Sequence, residues 1–275
     1  MYSTVKDTHS SLTASTARSN LHNLFDWLCP PDNLSNYHEA LKQRQEGTGL
    51  WFLNSRMFHA WKGCAQPMLW LHGSPGCGKT VLTSSIVENI NNSPAAAVNV
   101  TFFYFDFNDS RKQTLDSALR SICHQISLQS EQGAQVLSTF YNRHKDGRQT
   151  PSLDSLRECF DSLVVNTNRT QLVLDALDEC TTRPHLLNWI RGLKQHGSTK
   201  LQLIATSRRE LDIDTCLSEC IPVEAIVAIQ PEVVDADIRT YVRTRLRSDP
   251  ELDRWQGRTE QQEMEDVICT QAEGM

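Results

Sequence analysis

The sequence predicts a doubly wound α/β fold: a parallel sheet of five strands with helices on both faces, followed by the start of a helical lid region. Three observations carry this expectation. The apolar run 68–71 leads directly into Gly73-Ser74-Pro75-Gly76-Cys77-Gly78-Lys79-Thr80. A second run, 171–174, ends in Asp175, and a third, 201–206, ends in Ser207-Arg208-Arg209. Strands covered on both faces read as unbroken apolar runs, and the polar residues at their carboxyl ends gather along one edge of the sheet.

The elements follow in chain order. Residues 1–20 are rich in Ser and Thr and lack the apolar stretch of a signal peptide, which suits a disordered tail. Leu21, Leu24, Phe25 and Leu28 have helical spacing and stop before Pro30-Pro31, giving a short helix expected to dock on the core. A second helix fits 36–45, stopped by Gly47, so that 21–62 reads as a helical segment leading into the core at 63–230. Beyond the glycine stretch, a helix fits 79–91. The run 98–107 is too rich in β-branched and aromatic residues for a helix and reads as a buried strand. Helices then fit a stretch ending at Ile126, 131–145, 152–164 and 184–195, and a fifth strand fits 220–229. Residues 234–242 open the lid region, 231–275, which ends in a helix near 259–272. No internal repeat is visible.

The eight residues from Gly73 to Thr80 match G-x-x-x-x-G-K-[ST], and a strand before the pattern with a helix after it is the context in which it has a mechanism. Glycines let backbone N–H groups point inward around a triphosphate, so Gly73, Ser74, Pro75, Gly76, Cys77 and Gly78 are candidate phosphate-binding residues. Lys79 is placed to reach the β- and γ-phosphates, and Thr80 to ligand Mg²⁺. Asp175, at a strand's carboxyl end, is the second candidate metal ligand. Asp178 and Glu179 are candidates to orient an attacking water. A helical start after the strand would return Asp178 to the side of Asp175, which favours Asp178 as the base, while Glu179 has the longer reach and could equally serve. Arg208 is a candidate sensor of the γ-phosphate, because a planar guanidinium suits phosphate oxygens.

GSPGCGKT, LVLDALDEC and LIATSRRE, in this order, resemble the NACHT class of signal-transduction NTPases (STAND class), especially the large group in filamentous fungi. The segment is also similar to the nephrocystin-3-like N-terminal P-loop domain. The resemblance implies a P-loop NTPase core, a Mg²⁺-dependent switch binding ATP or GTP, slow hydrolysis, self-association through the NTPase domain, and effector or sensor partners. It also implies that Arg44 and the Thr48-Gly49 turn lie where relatives contact the base. Ala176 stands where many P-loop ATPases carry the catalytic glutamate, a form usual for NACHT proteins. The end at Ala272–Met275 looks like the start of a helical segment that continues in relatives, so a chain truncated at its C-terminus is expected.

Composition narrows the partners. A formal charge of −6 with no dense basic stretch argues against a nucleic-acid surface. No run approaches a membrane span. Nine scattered cysteines without a C-x-x-C pair read as reduced thiols of a cytoplasmic protein.

Overall fold

The computed structural model describes residues 22–93, 98–195, 200–248 and 259–271. The expected tail at 1–20 lies outside them. Five strands, β1 (Met68–His72), β2 (Val98–Tyr104), β3 (Arg169–Asp175), β4 (Leu201–Ser207) and β5 (Ile226–Ala228), form one sheet in the order β2-β3-β4-β1-β5. Every pairing is parallel. β1 and β4 are buried along their whole length, as mostly apolar strands covered on both faces are, although β4 buries the polar Gln202, Thr206 and Ser207 as well. Register places His72 beside Ser207 and Ala228, and Tyr104 beside Asp175, so the carboxyl ends of all five strands share an edge.

The helices are α1 (22–28), α2 (Leu34–Gln43), α3 (Leu50–Leu53), α4 (Arg56–Lys62), α5 (Lys79–Asn91), α6 (Leu115–Ser127), α7 (Glu131–Arg143), α8 (Leu153–Asn166), α9 (Arg183–Gln195), α10 (Leu211–Cys220), α11 (Pro231–Ser248) and α12 (Thr259–Gln271). Several start on local sequence chemistry. Ser55, Thr114, Ser130 and Ser152 each accept an N–H from three residues on, capping α4, α6, α7 and α8. Leu24 and Leu28 of α1 join the main core cluster, so this helix docks on the core.

The structure differs from the sequence reading in three places. β2 stops at Tyr104, and Phe107 is 64% exposed in the loop beyond it. The fifth strand is only three residues long, because Cys220 ends α10 and Val223–Ala225 form a 3-10 turn before β5. α10 itself was not expected. Its buried face, Ile213, Cys216, Leu217 and Cys220, has helical spacing, but two of the four positions are cysteines.

The segment before β1 braces the sheet. Trp61 is fully buried, donates its indole N–H to Leu203 O of β4 at 3.1 Å, and stacks on Phe58 with ring centroids 5.9 Å apart. Below it, Gln171 Nε2 donates to Gln202 Oε1 at 3.1 Å, and the Gln202 amide donates to Trp61 O. These bonds satisfy polar groups that the sheet withdraws from water. On the other side, α11 is tied down where Gly49 N donates to Asp237 Oδ2 at 2.7 Å.

Trp61→Ala should therefore cost about 3–5 kcal/mol, the usual penalty for emptying a large aromatic site. Chemical denaturation would register this as a lower midpoint, and an unchanged midpoint would mean that the segment does not brace the sheet.

Candidate functional site

The site forms where β1, β3 and β4 end. After β1 the chain turns through Gly76 (φ 79°) and Gly78 (φ 83°), left-handed positions that a side chain strains to adopt. Gly73 is required for a different reason. A Cβ there would lie 2.6 Å from Cys77 Sγ and 3.1 Å from Ile229 Cβ, so the 6% exposed Cys77 fills the space under the turn. α5 starts at Lys79 with Gly78 at its cap and no side-chain cap, which leaves its first N–H groups directed at the loop's concave side. Lys79 Nζ donates to Gly73 O at 2.9 Å and Ser74 O at 2.7 Å, spanning the loop.

Asp175 is the hub. It is 1% exposed and accepts three hydroxyls: Thr80 on Oδ2 at 2.8 Å, and Thr83 and Thr206 on Oδ1, each at 2.6 Å. Burial pushes its carboxyl up from the ordinary range, and the hydrogen bonds from Thr206, Thr83 and Thr80 pull the other way. Thr80 and Asp175, picked out as metal ligands from sequence, are thus in direct contact. Thr83 and Thr206 were missed. Lone hydroxyls on a helix and a strand carry no pattern, although Thr206 belongs to the strand-end motif already quoted. Thr206 also accepts Ala176 N at 3.1 Å, which fixes the first residue after β3. Fitness for Mg²⁺ follows from the donor set: a threonine hydroxyl and one carboxylate beside the glycine loop are hard oxygen ligands of the kind that ion takes alongside phosphate oxygens and water.

Past Asp175 the chain does not begin an ordinary helix. Ala176 is left-handed (φ 57°, ψ 54°), and Leu177–Glu179 form a single 3-10 turn. This geometry separates the two acids. The Asp178 side chain is 4% exposed, and both its oxygens serve Arg208: Oδ1 accepts Arg208 N at 2.9 Å, and Oδ2 pairs with Arg208 Nε at 3.1 Å. Glu179 turns to the neighbouring loop, where its Oε2 accepts Phe107 N at 2.9 Å. Burial, then the nearby charges of Asp178, Asp106 and Asp175, raise the Glu179 carboxyl, while the Phe107 N–H opposes them. Arg183, also missed, donates to Asp178 O at 2.7 Å and pairs with Glu210 and Asp212, holding the turn from outside.

Two cavities flank this line of residues. One of about 710 Å³ opens over Asp178, Glu179, Arg183 and Arg208. Another of about 460 Å³ lies on the far side of the loop, lined by Gln45, Thr48, Gly49, Trp51, Asp237 and Tyr241 among others, a size suited to a small-molecule group. The Thr48-Gly49 turn expected near a base lines this cavity. Arg44 does not line it, being engaged in an ion pair with Glu88 of α5.

Comparisons with known proteins bear on this arrangement. Residues 47–208 match the family model described as Nephrocystin 3, N-terminal. Over 203 residues the chain is 27% identical to vegetative incompatibility protein HET-E-1 of Podospora anserina, which agrees with the NACHT resemblance of the three motifs. That stretch covers 71% of this chain and 15% of the relative, so the chain spans a small part of the relative's length. A chain in the structure of Drosophila ORC bound to DNA is similar with a TM-score of 0.32 and 16% identity, over 75% of this chain and 47% of that one. Among the described residues no helix is long and apolar enough to cross a membrane.

Glu179 supplies a test of the electrostatics. A carboxyl whose folded pKa is raised favours the fold while protonated; that contribution is complete below the ordinary glutamate value of about 4.3 and is lost as pH rises through the raised value. Gln cannot ionise. Glu179→Gln should therefore melt at a higher temperature than the parent at pH 7, with the gap closing as the pH falls through about 4. Thermal melts from pH 4 to 8 would show this, and a gap independent of pH would remove burial as the cause.

Proposed function

The chain belongs to the nephrocystin-3 N-terminal family, and we propose that it is a nucleoside-triphosphate-binding switch of NACHT type that binds ATP or GTP with Mg²⁺ and hydrolyses it slowly. The observation that carries this reading is the 2.8 Å contact between Thr80 and Asp175 directly beside the glycine loop. A structural turn with an incidental lysine has no reason to aim a helix's first hydroxyl at a buried strand-end carboxylate.

In this reading the backbone N–H groups of residues 73–80 other than Pro75, together with Lys79, hold the phosphates, and the nucleoside lies toward Thr48, Gly49 and Asp237. Bound Mg²⁺ would neutralise phosphate charge, with Thr80 and Asp175 as its protein ligands. Glu179 orients the attacking water. One of its oxygens is fixed by Phe107, and the residue lines the cavity over the acidic turn. Asp178 holds Arg208 at the γ-phosphate end, which divides the roles of the two acids differently from the helical-start argument. A role in signalling or non-self recognition is supported by likeness to a vegetative incompatibility protein. Self-association through the NTPase core (63–230), a helical segment (21–62) before it, a lid from 231 onward, effector or sensor partners and a cytoplasmic location belong to the same proposal.

A second reading, a scaffold that retains nucleotide without turnover, is favoured by one observation: Asp178 and Arg208 already satisfy each other. Calorimetric titration with ATP and GTP, with and without Mg²⁺, combined with a single-turnover assay, separates the two.

Lys79→Ala removes a charge-assisted contact worth about 1.5–3 kcal/mol, so nucleotide affinity should fall roughly ten- to hundredfold with the fold intact. Unchanged affinity in the titration would take the loop out of the binding site. Asp175→Asn should weaken binding more in Mg²⁺ than in EDTA, and equal losses would place Asp175 outside the metal site.

For the acids, Glu179→Gln should slow single-turnover hydrolysis by about 10²–10⁴-fold with near-normal affinity. Asp178→Asn should slow it less, because it acts through Arg208. The opposite ranking would return the water to Asp178.

A further inference from the structure

A buried cation lies outside the site just described. Lys112 closes the 3-10 turn Ser110–Lys112 in the loop from β2 to α6, and its side chain is 4% exposed. Its ammonium donates to Ser35 Oγ at 2.8 Å and to Asn36 Oδ1, both in the first turn of α2. The carboxylate it pairs with, Asp109, stands 3.9 Å away. Asn36 completes the link from the other side, its Nδ2 donating to Asp106 Oδ2 at 2.8 Å, while Asp106 Oδ1 accepts Asn108 N at 2.8 Å.

The same loop grips the acidic turn. Phe107 N donates to Glu179, Gln113 Nε2 donates to Phe107 O at 2.6 Å, and Gln113 O accepts both Thr181 N at 2.7 Å and Thr181 Oγ1 at 2.9 Å. Residues 106–113 are therefore bonded to α2 on one side and to residues 179–181 on the other.

An ammonium withdrawn from water must keep its acceptors, because losing them leaves an uncompensated buried charge. Both short acceptors of Lys112 belong to α2, so a shift of that helix drags the loop with it, and Phe107, next to the Asp106 that Asn36 holds, is the residue whose N–H meets Glu179. We infer that Lys112 and Asn36 are positioning residues for Glu179: α2 sets the orientation of the water-holding acid through the loop 106–113, which makes turnover responsive to whatever displaces α2. This rests on the reading of Glu179 as the acid that orients water. The device gives the segment before the core a route to the chemistry that avoids the nucleotide-binding residues.

The test uses Asn36→Ala and Lys112→Met in the full chain, with two readouts. Without nucleotide, hydrogen exchange of the segment around Phe107 should speed up by about fivefold or more in Asn36→Ala, as expected when the hydrogen bonds of Asn36 to Lys112 and Asp106 are lost. With nucleotide, each variant should lower the single-turnover rate about tenfold while dissociation constants for ATP and GTP stay within about twofold, and neither should slow a Glu179→Gln background further. If Lys112→Met fails to fold, Asn36→Ala, which keeps the lysine and one acceptor, carries the experiment. Unchanged exchange, or an equal rate loss in the Glu179→Gln background, overturns the inference. A parent chain that binds nucleotide without turnover, together with faster exchange in Asn36→Ala, would sink the hydrolytic reading and leave the mechanical link supported.

Discussion

The site depends on one buried carboxylate. Asp175 sits at 1% exposure, and three threonine hydroxyls supply its hydrogen bonds there. Those hydroxyls come from two different elements, α5 and β4. The need to satisfy one charge therefore fixes the first turns of the helix after the glycine loop against the ends of two strands. Remove the carboxylate, and the hydroxyls of Thr80, Thr83 and Thr206 lose their common acceptor together, the last two of them buried.

That constraint explains why the loop has its shape. α5 must enter with Thr80 and Thr83 facing β3, so the chain between β1 and α5 has to reverse within a few residues. Left-handed Gly76 and Gly78 permit the reversal, and Gly73 leaves room for Cys77 to pack beneath it. On the β3 side, Thr206 bonds both Asp175 and Ala176 N, and Ala176 takes a left-handed conformation at a cost of about 1–2 kcal/mol. The strained residue directs Asp178 toward β4 and Glu179 toward the loop after β2.

Legibility in the sequence follows the same physics. β1, β3 and β4 could be read because strands buried on both faces are mostly apolar, with Gln171 and Gln202 among the buried exceptions, and Lys79, Thr80 and Asp175 because their spacing from those strands has a mechanism. Pairings between distant residues could not be read. Nothing in the local pattern joins Glu179 to Phe107 or Arg44 to Glu88, and α10 was hidden by cysteines acting as core residues and by a strand assignment that ran back to Cys220. The different placement of Asp178 and Glu179 turned on one backbone conformation at Ala176, which no side-chain type announces.

The polar groups that would meet a triphosphate already have partners within the chain. Lys79 spans two loop carbonyls, and Arg208 is paired with a nearly buried Asp178. A ligand competing for these cations gains only the difference between its own contacts and those it replaces, so affinity is moderated while geometry is held ready. The two cations differ in how they are released. Lys79 gives up neutral carbonyls that remain close to solvent, whereas Arg208 cannot leave Asp178 without stranding a carboxylate whose side chain is 4% exposed. Arg208 is therefore the stiffer of the two, and a γ-phosphate is met most easily by guanidinium N–H groups other than the Nε that faces Asp178. Under the proposed function, the acid and the arginine act as one unit, with Asp178 aiming Arg208 and Glu179 left to deal with water.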